Sequence, residues 1–363
     1  MDTKRISLCD NWRFCGEQLA AQLRQDVEEA WYKGYDDSAW KQVTVPHDWS
    51  VELPFSKEYS SGTGYLAGGI GWYRLHFTLP EEYRGKCIRV VFDGIYKNSR
   101  VWCNSYYLGK RPFGYSTFSY DITHAAAFGE DENVLSVKVV HEDLADSRWF
   151  TGSGITRKVS LVIEEPVHPA EYGVIFQAKQ VEPDVSDSER RVGKAVIRVL
   201  HRTEFSGGMI DNSLSGKMVR IRTVLENEQG KKALCMEGCA EIGKTCVMEG
   251  RLEQAQLWSP EHPYLYTLRT WYAISSSEAA DSEWRVCGGS FEVTDSEEGN
   301  FERNLASGAK EGFYMVDETI TGIRGIRFDS QKGFFLNGVE TKLKGVCVHH
   351  DGGALGAAMK AEI

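Results

Sequence analysis

Apolar and polar residues alternate over short runs through the first 165 residues, and turn residues separate these runs. Alternation with a period of two is typical of strands that bury one face of a sheet. The clearest runs are Trp72–Thr78, Cys87–Asp93, Arg100–Cys103, Val134–Val140 and Lys158–Ile163. Helical periodicity is confined to a turn or two within Leu19–Ala30. We therefore predict an all-β fold that begins with a β-sandwich over residues 1–165.

A second set of strand patterns follows a predicted linker at Pro166–Pro169. Its runs are Tyr172–Ala178, Lys194–Arg202, Met218–Glu226, Cys246–Leu252 and Tyr264–Tyr272. Their number and spacing predict an immunoglobulin-like β-sandwich over residues 170–322. The polar stretch near 294–312 is expected to be a mobile insertion.

The pattern changes again over residues 323–363. Asn337-Gly338 after Gly333–Leu336 predicts a hairpin with a type I′ turn, and Thr341–Val348 then forms an apolar run. This run leads into His349-His350-Asp351 and a glycine pair, which is how a barrel strand presents a site at its C-terminal end. Too few residues follow for seven more strand–helix units. We expect a TIM barrel of which only the first strand or strands are present.

Charge and composition exclude several classes of function. The chain has 42 basic and 52 acidic residues, a net charge of −10, and no long basic run, which argues against a nucleic-acid partner. No apolar run is long enough to span a bilayer, and the N-terminus lacks a secretory pattern, so we expect a cytoplasmic protein without a membrane partner.

The nine cysteines are expected to be reduced thiols of a cytosolic protein. A zinc site at Cys235, Cys239 and Cys246 is the alternative. It is disfavoured because these residues contain no C-x-x-C pair and no histidine follows closely. We therefore predict no metal ligands in this chain.

Several stretches, in order along the chain, resemble the β-galactosidase branch of glycoside hydrolase family 2. They are Val45–Glu52, Gly64–Arg74, Trp102–Gly109, Gly114–Ile122, Arg148–Arg157, Leu257–Tyr266, and Lys344–Val346 with the two histidines that follow. The resemblance implies a jelly-roll, galactose-binding-like domain, then the immunoglobulin-like sandwich, then the opening of the catalytic barrel. It also implies retaining hydrolysis of terminal β-D-galactosides by two glutamates on later barrel strands.

The residues themselves agree that the catalytic pair is missing. A retaining glycosidase needs two carboxyl groups ~5–5.5 Å apart. Past the start of the barrel the only glutamates are Glu340 and Glu362, and the Asn227-Glu228 dipeptide lies in a turn pattern. We expect no catalytic residue here and no activity of this chain alone. The resemblance does not decide whether a full-length enzyme binds Mg²⁺ or Na⁺, or whether it forms a homo-oligomer. It implies that the rest of the barrel is the partner of this chain.

The resemblance also assigns roles to individual residues. His349 matches a histidine that hydrogen-bonds the sugar. His350 is expected either to contact the sugar or to position His349. Asp146 precedes Arg148-Trp149 and is expected to accept hydrogen bonds from sugar hydroxyls or to help hold a monovalent cation, although Asp143 competes for the same role. The alternative for each is an ordinary loop residue.

Three further residues are expected to support the site. Arg148 and Trp149 are predicted to pack between sandwich and barrel, and Tyr65 to prop its glycine-rich loop. Cys347 stands where the family usually has Asn, which alters the hydrogen bonding available near the barrel histidines.

Two other functions stay open from the sequence. The chain could be a stand-alone carbohydrate-binding module, or a subunit that completes a split glycosidase. An isolated module is disfavoured because the apolar run before His349 would leave an exposed strand edge. β-Glucuronide and β-mannoside are the alternative sugars.

Overall fold

The computed structural model describes residues 3–143, 147–205, 214, 216–275, 291–292, 312–349 and 352–359. Within these ranges the chain is almost entirely β, as predicted. It divides into two compact units. The first unit comprises residues 4–163 together with 346–363, and the second comprises 164–345 with Thr3. The segment 323–363, expected as the start of a TIM-barrel domain, is thus divided between the two units.

The first unit has two sheets. Its elements are β1 (Lys4–Ser7), β2 (Trp12–Gly16), α1 (Glu17–Leu23), β3 (Lys41–Val43), β4 (Gly69–Thr78), β5 (Cys87–Phe92), β6 (Ser99–Cys103), β7 (Tyr106–Arg111), β8 (Phe118–Asp121), β9 (Glu132–His141) and β10 (Val159–Glu164). One sheet has the order β3-β2-β4-β9-β6-β7, and the other β1-β10-β5-β8. Short 3₁₀ turns occur at Val27–Glu29, Trp49–Glu52, Ser61–Thr63, Glu81–Tyr83 and Gly353–Leu355.

The inward faces of these strands form one apolar core. Trp12, Tyr73, Phe92, Leu135 and Ile155 are fully buried in it. Each large apolar side chain buried in this way contributes ~1.5–3 kcal/mol, so the alternation seen in the sequence selects which face of each strand turns inward. The predicted strands from Trp72 to Ile163 are confirmed.

The second unit is a β-sandwich with a separate core. Its strands are β11 (Val167–Pro183), β12 (Val192–Phe205), β13 (Met218–Glu226), β14 (Lys232–Glu241), β15 (Thr245–Gln256), β16 (Tyr266–Ile274), β17 (Phe291–Glu292) and β18 (Tyr314–Thr321). They form the sheets β11-β12-β15 and β17-β14-β13-β16-β18. Ile197, Ile221, Met236, Leu268 and Tyr272 lie in the core between them.

A small three-stranded sheet follows, formed by β19 (Ile326–Asp329), β20 (Gly333–Leu336) and β21 (Val339–Glu340). Asn337 and Gly338 have φ angles of 49° and 79°, the left-handed values that a type I′ hairpin turn requires. The predicted hairpin is confirmed.

Three sequence-based expectations differ from the structure. Pro166–Pro169 is not a linker, because β11 already begins at Val167; Pro169 is tolerated since β11 lies at the edge of its sheet. Strand β14 was missed. The expected strand Thr341–Val348 does not form: residues 341–349 have no regular secondary structure, and Val346 is 88% exposed. A strand exists only through ladder hydrogen bonds to a neighbour. Thr341 N–H donates to the Phe334 carbonyl over 2.8 Å, but no strand ladder among the described residues includes residues 341–349.

Two further points concern helices and insertions. Helical structure within Leu19–Ala30 reduces to α1 and one 3₁₀ turn. The insertion expected near 294–312 lies outside the described residues except for Gly312. In the part of the chain that the structure describes, no helix has the length and apolarity needed to cross a bilayer.

Candidate functional site

An open cleft of about 250 Å³ lies in the first unit, among the loops beside α1, β4 and β9. Its lining is polar and acidic. It includes the carboxylates of Glu17, Glu142 and Asp143, the hydroxyls of Ser50, Tyr59, Thr63 and Thr151, and the ring of Phe150. Many hydroxyl and carboxylate acceptors beside an aromatic ring are suited to a polyhydroxylated ligand.

One wall of the cleft is held by a chain of buried hydrogen bonds. Ser50 Oγ donates to Ser153 Oγ over 2.7 Å, and Ser153 Oγ also lies 2.7 Å from His141 Nδ1. All three side chains are buried, and the rings of His141 and Tyr96 form a T-shaped pair with centroids 5.1 Å apart. Because buried polar groups are costly to leave unpaired, this network gives the wall a single arrangement.

Asp48 lies behind the same wall and is only 2% exposed. Its Oδ1 accepts hydrogen bonds from the backbone N–H groups of Ser50 at 3.0 Å and Ser153 at 2.9 Å, and its Oδ2 accepts from Ala357 N–H at 2.9 Å. Burial raises the pKa of Asp48, while the hydrogen bonds from Ala357, Ser153 and Ser50 act to lower it. One carboxylate therefore joins three segments of the chain.

Glycines make room for this carboxylate. Gly152 has φ 68°, and a Cβ atom there would lie 2.4 Å from Asp48 Oδ2. Gly356 has φ 56°, and its Cβ would lie 2.2 Å from the same oxygen. Both positions combine a left-handed backbone with a close approach that only glycine permits.

The structure brings His349 against Trp149. Their ring centroids are 5.8 Å apart with an interplanar angle of 32°. Trp149 Nε1 donates to the hydroxyl of Tyr115 over 3.1 Å, which orients the indole while leaving it 37% exposed. His349 is exposed, so its ring nitrogens are accessible to a ligand.

The other predicted site residues are placed as follows. Asp146 and His350, like Asp351, lie outside the described residues. Asp143, the competing aspartate, lines the cleft and forms an ion pair of 2.5 Å with Lys97. Arg148 is exposed. Tyr65 is 47% exposed with φ 60°, and its carbonyl accepts from Ser56 N–H, so it lies in the loop that it was expected to support.

Sequence reasoning missed Asp48. Its only local signal is the spacing Asp48-Trp49-Ser50, in which an aspartate caps the 3₁₀ turn Trp49–Glu52 by accepting from Ser50 N–H. That signal predicts a local cap. It contains nothing about the bonds to Ser153 and Ala357, which are distant in sequence.

The cysteines weighed as zinc ligands lie on β14 and β15. Burial raises the pKa of the Cys246 thiol to about 12 and also raises the pKa of Cys235. Both thiols are buried, and Cys246 belongs to the apolar core of the second unit.

Comparison with known proteins agrees with this architecture. The model of the glycosyl hydrolases family 2 sugar binding domain matches residues 6–166, which contain the cleft wall, Asp48 and Trp149. A β-galactosidase of Bacteroides ovatus is 34% identical over 356 residues, covering 96% of this chain and 35% of that protein.

Residues 6–166 are a sugar binding domain of glycosyl hydrolases family 2. Another relative in the family comparison, a putative β-glucuronidase of Formosa agariphila, is 30% identical over 354 residues, or 96% of this chain and 28% of that protein. A crystal structure of a β-glycosidase from Bacteroides vulgatus matches with a TM-score of 0.74 and 29% identity, over 98% of this chain and 38% of that one. The chain thus spans about a third of the length of these relatives.

Proposed function

We propose that this chain forms the sugar-binding side of a retaining β-galactosidase that hydrolyses terminal β-D-galactosides. The observation that carries the proposal is the cleft on the family 2 sugar-binding domain, together with the contact between Trp149 and His349 in the same unit. In this proposal His349 forms a hydrogen bond with one sugar hydroxyl, as donor or as acceptor. Asp143 or Asp146 accepts a hydrogen bond from another hydroxyl of the sugar. Trp149 orients the imidazole.

The charge of the cleft supports a neutral sugar. Glu17, Glu142 and Asp143 all line it, and of these Asp143 is neutralised by Lys97. A glucuronide would place its own carboxylate near the remaining two, and like charges at short distance are unfavourable. Galactose carries only hydroxyl groups, which carboxylates accept readily. A relative named as a β-galactosidase supports the same choice, and one named as a putative β-glucuronidase supplies the competing candidate.

The proposal assigns the chemistry to carboxylates outside this sequence. Retaining hydrolysis needs an acid/base and a nucleophile ~5–5.5 Å apart, and general acid–base catalysis alone contributes ~10²–10⁴-fold. The chain by itself is therefore expected to be inactive, and its partner is the barrel that carries the two glutamates. We also propose a cytoplasmic location, which the buried thiols of Cys15, Cys103 and Cys246 support.

Hydrolysis assays test the proposal. Chain 1–363 and the same reading frame continued to its next stop codon are incubated with p-nitrophenyl β-D-galactoside and p-nitrophenyl β-D-glucuronide. We expect turnover of the galactoside by the longer protein alone. Preference for the glucuronide would overturn the assignment of the sugar. Turnover by chain 1–363, in a host strain lacking its own β-galactosidase, would overturn the claim that the catalytic pair lies elsewhere.

A further inference from the structure

We propose that Asp48 is a positioning residue that holds segment 352–359, and through it His349, against the wall of the cleft. The proposal rests on the proposed function, since it is the sugar contact of His349 that the positioning would serve. The geometry itself involves only residues of the first unit.

The two oxygens of Asp48 have different roles. Oδ1 accepts from Ser50 and Ser153, both of which belong to the cleft wall, at 3.0 and 2.9 Å. Oδ2 accepts from Ala357 N–H at 2.9 Å, which lies beyond His349 in the chain. Backbone N–H groups bound to a charged carboxylate make stronger hydrogen bonds than neutral pairs do. The wall and the segment are therefore joined through one side chain.

Residues 352–359 pack directly against the cleft wall around Asp48. Gly356 is buried and Ala358 is 8% exposed, and the Cβ of Ala357 approaches Gly152 closely enough that a methyl group at 152 would lie 2.6 Å from it. A Cβ at Gly356 would also lie 2.7 Å from a methyl group of Val51. The backbone of the segment thus fits directly against the wall.

His349 has its own contact with the first unit through Trp149, and the segment has a second through Asp48. Upstream, residues 342–348 are all exposed, so their packing contributes little to fixing the histidine. The position of the imidazole is consequently set from the downstream side, where Asp48 binds. Loss of the hydrogen bond between Asp48 and Ala357 should therefore weaken the contact between His349 and Trp149.

The substitution Asp48→Asn separates the two roles. An asparagine keeps one carbonyl oxygen, which can continue to accept from Ser50 and Ser153. Its NH₂ group replaces Oδ2 and faces the Ala357 N–H, so that two donors meet and the bond to the segment is lost. If the amide were flipped, the bond from Ala357 would be kept, but the two bonds from Ser50 and Ser153 would be lost. The variant should therefore release the segment while the wall stays intact.

The test uses chain 1–363 labelled with 5-fluorotryptophan, whose Trp149 resonance is assigned with Trp149→Phe. In the wild type the His349 ring lies beside the Trp149 indole, so we expect it to shift this ¹⁹F resonance, and the shift is measured as the difference between the wild type and His349→Gln. In D48N we expect at least half of the shift to disappear. Amide exchange at Ala357 should accelerate about tenfold or more, while exchange at Ser153 changes far less.

Asp121→Asn is the matched control. Asp121 is exposed in the same unit and caps Thr123 N–H over 2.8 Å, so its replacement should leave both readouts unchanged. If D48N retains the full Trp149 shift and the wild-type protection of Ala357, the positioning role is refuted.

Should D48N fail to fold, Gly356→Ala provides the same test from the side of the segment. Its Cβ would meet Asp48 Oδ2 and should displace residues 352–359, with the same loss of the Trp149 shift; an unchanged shift in this variant counts against the proposal. Neither readout depends on hydrolysis. A failure of the proposed β-galactosidase function is therefore distinguishable from a failure of this inference.

Discussion

Arg74 donates from Nε to Oδ2 of Asp37 over 2.7 Å, and both side chains are closed to solvent, with 0% and 3% exposure. The remaining guanidinium hydrogens bind backbone carbonyls of residues 30–35, including Tyr32 at 2.9 Å and Lys33 at 3.0 Å, and the hydroxyl of Ser136 at 3.0 Å. A buried charge is tolerated only when its partners satisfy it, and here Arg74 fastens the loop before β3 onto β4.

Arg74→Lys should destabilise the first unit strongly. A lysine ammonium has three donors and no planar fork, so it cannot replace bonds to Asp37 and to several carbonyls at once. Breaking a buried ion pair costs ~3–5 kcal/mol. We expect the free energy of unfolding to fall by an amount near the lower end of that range, because the lysine keeps the positive charge opposite Asp37. Urea unfolding followed by near-ultraviolet circular dichroism measures it.

Arg84→Lys is the control for that comparison. Arg84 pairs with Glu81 at an exposed 3₁₀ turn of the same unit, and this surface pair should contribute little. Equal effects of the two substitutions would show that the Arg74 cluster is not the anchor described above.

His76 should make the stability of the first unit decrease at alkaline pH. Its hydrogen bond to Asp37 raises the pKa of His76, with Glu132 adding to the effect and burial opposing it. A raised native pKa means that the stabilisation is complete below the unfolded value of ~6.5 and is lost as pH rises through the native value. Melting temperatures from pH ~6 to ~9 should fall for the wild type and vary less for His76→Gln. Parallel curves for the two proteins would contradict this.

His201 should make the second unit sensitive to acid. The ring is fully buried on β12, with Nε2 3.0 Å from Thr223 Oγ1, and burial lowers the pKa of His201 to about 3. The native state therefore excludes a proton that the unfolded chain binds. Its stabilising contribution is present above pH ~6.5 and is lost toward pH 3 at ~1.4 kcal/mol per unit.

His201→Phe removes this titration and should shift the acid unfolding midpoint of the second unit downward. Thr223 keeps a hydroxyl partner in Thr270 at 3.3 Å. His124→Phe, at an exposed histidine, is the matched control and should leave the acid midpoint where it is in the wild type. Acid titration followed by tryptophan fluorescence compares the three proteins, and an unshifted midpoint in His201→Phe would argue against the assignment.

Gly152→Ala should cost more than the backbone strain of a left-handed residue. A methyl group there would meet Asp48 Oδ2 at 2.4 Å, in addition to the φ of 68°. Gly85→Ala isolates the strain alone, because Gly85 has φ 83° and no neighbouring atom within 4 Å of the added Cβ. We expect ~1–2 kcal/mol for Gly85→Ala and at least twice that for Gly152→Ala in denaturant unfolding. Equal decreases in the free energy of unfolding for the two variants would mean that the cleft wall can move to make room for the added methyl group beside Asp48.

Local patterns in the sequence were sufficient for strands β4, β5, β6, β9 and β10 and for the hairpin, although β14 was missed. The β-branched and alternating runs of β4, β5 and β9 select one buried face each, and Asn337-Gly338 specifies its own turn through the φ angles it tolerates. The resemblance to family 2 and the glycines at 152 and 154 were likewise visible in the order of residues. These features depend only on neighbours within a few positions.

The site depended on contacts that no local pattern encodes. Asp48 reads as an ordinary cap until Ala357 is brought to its second oxygen, and His349 reads as a loop residue until Trp149 lies beside it. The apolar run Thr341–Val348 shows the converse. Its composition favours a strand, yet a strand needs a partner strand along its length, and no strand ladder of the described residues includes this run. The sequence by itself thus determined which residues are buried and where the chain turns. Only the tertiary structure decided which distant groups meet, because hydrogen bonds act over about 3 Å in space whatever the separation along the chain.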